Sequence, residues 1–159
     1  LLNLSGEVIG INVAMASGAE NIGFAIPVNR AKKDIEDVKT KGKITYPFLG
    51  VRYMLVTEEL VKKNKLSVDY GALVIRGEDQ TDLAVTPGSA ADKAGIVEND
   101  IILEIDGVKV DSKNSLANLI QKYAVGDTIT LKVLSKGSEK SPYGGPPTGW
   151  QVQATLGER

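Results

Sequence analysis

The stretch Tyr46-Pro47-Phe48-Leu49-Gly50-Val51-Arg52-Tyr53 joins a rigid lead-in, a bare backbone turn and the start of an apolar strand. Pro47 fixes φ and biases Tyr46 towards an extended conformation, so the chain approaches the turn at a set angle. Gly50 has no Cβ and lets neighbouring amides converge on a group outside the chain. Successive N–H groups pointing into one concavity form a nest suited to a carboxylate or phosphate. Val51 and Tyr53 alternate with Arg52 as a half-buried strand would. These features predict that Phe48, Leu49, Gly50 and Val51 hold the C-terminal carboxylate of a peptide, and that the strand through Arg52 and Tyr53 pairs with it. An ordinary hairpin lead-in is the plainer account of the octapeptide alone, so the remainder of the chain has to decide.

Bulk properties narrow the function. The chain has 159 residues and 42% hydrophobic content, enough to bury a core in one ordinary domain or in a small domain plus a fragment. Its 19 basic and 20 acidic residues leave a net charge of −1, so no global field draws nucleic acid or an acidic membrane. Absence of Cys removes disulfide and thiolate chemistry. Absence of His removes imidazole as a general base and as a metal ligand. No apolar run approaches the roughly 18 to 20 residues of a membrane-spanning helix. Opening on Leu1-Leu2-Asn3, the chain reads as cut from something longer.

Taken in order, residues 1 to 44 read as strand, strand and helix, and as incomplete. Gly6 to Ala14 follow a polar turn and form a strand thinned by two glycines. Residues 21 to 27 form a second strand, reached through Ser17-Gly18-Ala19-Glu20. Two short strands make only a marginal hairpin in water. After Pro27, Val28, Ala31, Ile35 and Val38 fall at helical spacing, and Gly42 ends that helix.

Residues 45 to 159 read as a complete unit. Thr57 caps a short helix ending near Asn64. A strand follows at 71 to 76, then a polar loop to Leu83 and a one-to-two-turn helix within Pro87 to Gly95. Ile101 to Ile105 form a strand whose opening apolar run implies cover on both faces. Asp106-Gly107 is a strong turn signal returning the chain through Val108-Lys109-Val110. Ser112 or Asn114 can cap a helix over 113 to 124 carrying Leu116, Leu119, Ile120 and Tyr123. Thr128 to Leu134 and Trp150 to Leu156 alternate cleanly as strands, with a Pro- and Gly-rich hairpin loop between them.

At this point three segments carry a resemblance. Phe48-Leu49-Gly50-Val51 stands where PDZ domains of HtrA-type (Deg) serine proteases have their Φ-Leu-Gly-Φ carboxylate loop. Pro87-Gly88-Ser89-Ala90-Ala91-Asp92-Lys93-Ala94-Gly95-Ile96 resembles that family's "PGSPAxKAGL" segment, and Asn99-Asp100-Ile101-Ile102-Leu103-Glu104-Ile105-Asp106-Gly107 its "GDxIxxIxG". The departures are Asn99 for Gly, the insertion-like Glu78 to Leu83, and the loop before Trp150. Asn tolerates left-handed φ, so Asn99 keeps the turn open to it; the inserted loop bears on how open the groove edge is. Ahead of this block, Gly6 to Asn12 and Ile22-Gly23-Phe24-Ala25-Ile26-Pro27 resemble the last strands of the trypsin-like barrel of the same proteases. The fold expected is mainly β with short helices (α+β): a PDZ-like, partly open β-barrel or sandwich with two helices, preceded by a strand-strand-helix remnant of the trypsin-like barrel.

By the resemblance, the nucleophilic Ser would lie just before Leu1. A triad needs nucleophile, base and orienting acid within hydrogen-bond reach, and no His is present to be the base. No catalytic residue is therefore expected in this chain, which would belong to a serine endopeptidase. Metal and cofactor are not expected either: Asp106, Asp111, Ser112 and Asn114 lack calcium-loop spacing, and a turn plus a helix cap explains them. Residues 143 to 149 are glycine-rich but lack the ending of a phosphate loop.

The expected mechanism is capture of an unfolded or C-terminal peptide. Amides of Leu49, Gly50 and Val51 would receive the carboxylate, and the peptide would lie between the strand at Arg52 and Tyr53 and the helix over 113 to 124. Leu49, Val51, Leu116 and Ile120 would line a pocket favouring an apolar last residue, although core packing is the plainer role of the helix residues. Replacing Gly50 with Val should then abolish binding and leave the fold largely intact. An alternative is a module assembling subunits of the protease, with a homo-oligomer formed through the parent protease domain, since exposed strand edges at 1 to 27 invite pairing. Family resemblance implies an extracytoplasmic, periplasmic or cell-envelope location.

Overall fold

The computed structural model describes residues 1–15, 22–79, 81–135 and 149–159. It divides into two compact units, Leu1–Thr45 and Tyr46–Arg159.

In the first unit the Asn3 side chain organises the turn, Oδ1 accepting the N–H groups of Ser5 at 3.0 Å and Glu7 at 2.9 Å. That turn delays the first strand, which runs not from Gly6 but as β1, Gly10–Met15. It pairs antiparallel with β2, Gly23–Pro27, in a register running from Gly10 opposite Pro27 to Met15 opposite Gly23. The expected linker Ser17 to Glu20 lies outside the described residues. Helix α1, Val28–Lys41, stops where expected: Gly42 takes φ 72° and donates its N–H to the Val38 carbonyl at 3.0 Å. The apolar positions do share a helix, on which Ile35 and Val38 are exposed and the buried residue is Asp37. The Asp37 carboxylate accepts from Lys41 Nζ at 2.8 Å and Thr45 Oγ1 at 3.2 Å, and the lysine above all holds its pKa below the ordinary value.

The second unit contains β3 (Pro47–Phe48), β4 (Tyr53–Leu55), α2 (Glu58–Asn64), β5 (Ala72–Val74), α3 (Ala90–Lys93) and β6 (Ile101–Ile105). It continues with β7 (Val108–Lys109), α4 (Leu116–Ile120), β8 (Thr128–Leu134), β9 (Trp150–Thr155) and β10 (Gly157–Glu158). The main sheet has the order β4-β5-β6-β8-β9, with β7 folded back on β6 and every pair antiparallel. A small sheet joins β3 to β10. The unit is thus mainly β with short helices and no closed barrel, as expected.

Side-chain alternation builds two apolar layers on this sheet. One holds Ile102, Ile105, Ile129, Leu131 and Val133 with Leu49, Leu116 and Leu156. The other holds Leu73, Ile101, Leu103 and Leu134, against which Leu60 of α2 and Leu66 pack. Ile101 to Leu103 are therefore covered on both faces, as their unbroken apolar run predicts. Thr57 Oγ1 caps α2 by accepting the Leu60 N–H at 3.3 Å, again as expected.

Two helices are shorter than the sequence implies. Asp111 Oδ1 accepts the N–H groups of Lys113 at 2.9 Å and Asn114 at 2.8 Å, a local turn that holds both out of the helix. Helix α4 consequently starts at Leu116 with Ser115, not Ser112 or Asn114, as its cap, and tightens after Ile120 through Lys122 N–H to Leu119 O and Tyr123 N–H to Ile120 O. Within 87 to 95, only Ala90–Lys93 are helical, because Gly88 turns with φ 74° before the Ser89 cap.

Candidate functional site

The candidate site starts where β3 ends. Leu49 is 2% exposed, and its carbonyl accepts the Ala91 N–H at 2.8 Å, which pins the loop to α3. The Gly50 carbonyl accepts the Thr86 N–H at 2.8 Å, and the Arg52 N–H reaches the Ala84 carbonyl at 2.8 Å. This loop therefore spends carbonyls on the fold. Among the described residues, no hydrogen bond takes the N–H of Leu49, Gly50 or Val51. Three successive unspent donors beside a glycine at φ 91° are what a carboxylate-holding nest requires.

Gly50 is also packed. A Cβ built on it would overlap Cβ and Oγ of Ser89, the cap of α3. Close approach and left-handed φ together mean that Gly50→Val would strain the packing around the loop as well as crowd the nest.

The strand after the loop has one spoken-for side and one open side. Arg52 O accepts the Ile75 N–H at 3.1 Å and the Val56 N–H reaches Gly71 O at 2.9 Å, while Met54 sits opposite Leu73. Main-chain groups of 52, 54 and 56 thus face β5. Those of Val51, Tyr53 and Leu55 face the other way, along the end of the sheet, because successive residues alternate direction. Side chains of the same three residues pack against the core.

Of the residues singled out in sequence, Phe48, Leu49, Gly50, Val51 and Tyr53 lie together at the loop and edge. The Arg52 main chain is bonded on the sheet side, to Ala84 and Ile75, and its guanidinium is ion-paired with Asp82 at 2.6 Å. That pair ties the inserted loop through Asp82 and leaves the 51, 53 and 55 edge facing elsewhere. Leu116 and Ile120 are closed off in this structure. They are 0% and 8% exposed and belong to the core with Leu119, so they present almost no surface to a ligand.

Two contributors escaped sequence reading. Leu55 extends the free edge, and continuing the Val51-Tyr53 alternation by one step would have found it. The Tyr53 hydroxyl accepts the Ala117 N–H at 3.1 Å in the first turn of α4; nothing local signals this contact. No group of three or more Asp or Glu carboxylates among the described residues is arranged to hold a metal ion, and no helix among them is long and apolar enough to cross a membrane.

The sequence model of the PDZ domain matches residues 81–135. Over 133 residues the chain is 35% identical to a putative serine protease, HhoB, of Synechocystis, a match covering 84% of this chain and 32% of that protein. It is 40% identical over 140 residues to a probable periplasmic serine endoprotease, DegP-like, of Chlamydia trachomatis, covering 86% of this chain and 27% of that protein. Among solved structures, the HtrA-type protease AlgW with decapeptide superposes with a TM-score of 0.71 at 26% identity, covering 98% of this chain and 43% of that chain. The chain spans about a third of the length of these curated relatives. The chain carries a PDZ-domain match at residues 81–135, and over most of its length it is homologous to HtrA/DegP-type serine proteases.

Proposed function

We propose that residues 46–159 capture C-terminal or extended peptides and so recruit substrate to, or regulate, a serine endopeptidase of which this chain is one part. The observation that carries this reading is the row of undonated amides at Leu49, Gly50 and Val51 beside the open main-chain edge at Val51, Tyr53 and Leu55. The carboxylate would take the amides, and the preceding residues would add antiparallel to the edge. Homology to a protease solved with a decapeptide supports the same ligand class. Each charge-assisted amide contact contributes about 1.5 to 3 kcal/mol, and burial of an apolar last side chain about as much. Set against association costs, these contributions suit micromolar affinity and reversible sensing. The chain has no His to act as a general base, so peptide hydrolysis is assigned to other parts of the parent protein. Relatives named as periplasmic support an extracytoplasmic location.

Amidation of the peptide's C-terminus tests the reading. Binding should weaken by about tenfold or more, the loss of at least one charge-assisted contact; equal affinity of acid and amide would remove the carboxylate nest.

A second reading, subunit assembly, is favoured by the exposed apolar side chains of β1 and β2, among them Val13, Met15 and Phe24. It predicts concentration-dependent size in sedimentation, whereas a constant monomer mass would leave peptide capture alone.

A further inference from the structure

Peptide capture needs room between β4 and α4, and the residues that would line a terminal pocket there are sealed: Leu49, Leu116 and Ile120 are 2%, 0% and 8% exposed. One hydrogen bond crosses the same gap. The Ala117 N–H donates to Tyr53 Oη at 3.1 Å, joining residues 64 positions apart. Ala117 is the second residue of α4, so its amide is one of the first-turn donors that a helix cannot satisfy internally. Ser115 Oγ takes the Asn118 amide at 3.3 Å, and the Tyr53 hydroxyl takes this one. The same Tyr53 presents its own N–H and C=O to the free edge of β4.

We propose that Tyr53 is an intramolecular strap that holds the peptide groove shut, so that the Tyr53–Ala117 hydrogen bond and a bound peptide exclude each other. The inference rests on the peptide-capture reading above. Its geometry follows from antiparallel pairing: edge groups recur at Val51, Tyr53 and Leu55, so a terminal residue at Val51 puts the residue two before it opposite Tyr53, beneath the strap. Any ligand longer than two residues must part the ring from α4. A single neutral hydrogen bond has a small net value in water, so the strap is strong enough to bias the groove and weak enough for a peptide to displace.

The test uses the full chain and a fluorescein-labelled flexible decapeptide ending in Leu-Val with a free carboxylate, read by anisotropy, with the amidated peptide alongside. Tyr53→Phe keeps the ring and the edge main chain and deletes the acceptor. It should bind the acid peptide about two- to tenfold more tightly, the value of one such bond. Amide exchange at Ala117 should be slow in the free wild type, and should accelerate both in Tyr53→Phe and in the wild type saturated with peptide. Carboxylate-dependent binding that is equal or weaker in Tyr53→Phe, or Ala117 protection kept in the peptide-saturated wild type, would overturn the strap and leave peptide capture standing. Absence of carboxylate-dependent binding in both proteins would overturn both.

Discussion

Gly50 shows what a single position can and cannot tell. Its missing Cβ is legible as freedom for a left-handed turn, and φ 91° agrees. The contact with Ser89 is not legible, because Ser89 arrives from a distant segment through the cap of α3. Left-handed strain and overlap together predict that Gly50→Ala lowers stability by about 1 to 3 kcal/mol. Urea denaturation of the full chain measures it, and an unchanged midpoint would show that Ser89 moves aside without cost. Asn99 makes the complementary case. It stands where the resembling sequences have Gly, and it adopts φ 74°, the left-handed conformation Asn tolerates best among residues with a Cβ.

At the scale of elements, the short helices and strands depend on ties between them. Asp106, in the turn between β6 and β7, accepts the Thr130 N–H of β8 at 2.7 Å and the Tyr123 hydroxyl, just beyond α4, at 2.7 Å. The Thr130 amide, then the tyrosine hydroxyl, holds the Asp106 carboxyl below its ordinary value of 3.8. Asp106 in turn pushes Tyr123 up from 10.0 to about 12. The two signs differ. The stabilisation from Asp106 is present above pH 3.8 and is lost as pH falls through its lower folded value. Tyr123 keeps its proton in the fold when the unfolded chain has lost it, so its stabilisation is present below pH 10.0 and is lost between there and about pH 12. Tyr123→Phe should therefore be less stable than wild type at pH 7, with the gap narrowing as pH rises from 9 to 11.5. Urea midpoints across that range decide it, and a constant gap would show that folding does not raise the Tyr123 pKa.

For the whole molecule, the distribution of burial sets the expectation. Among the described residues, every buried hydrophobic side chain lies between Leu49 and Leu156, and in residues 1–45 the buried polar or charged residues are Asp37 and Thr45. A core of that kind should carry its own cooperative transition. Residues 46–159 alone should unfold in a single step, at the urea midpoint of the corresponding transition in the full chain, and should keep its affinity for the acid peptide. A non-cooperative transition, or loss of peptide affinity, would mean that residues 1–45 are needed to complete the domain.

Local sequence specifies the strands at 101–105, 128–134 and 150–155, the turn at Asp106-Gly107, the α2 cap at Thr57 and the left-handed turn at Gly50. All of these depend on neighbours in the chain: periodicity, turn chemistry and caps are local, and so they survive in a one-dimensional reading. Tertiary structure alone decided which side of the strand Val51 to Leu55 is open, because that depends on Ala84 and Ile75 claiming the main chain of Arg52. It also decided that Leu116 and Ile120 are core and that Tyr53 closes over Ala117. An apolar stripe records that a face must be covered, and only the packed chain says whether the cover is its own sheet or a ligand.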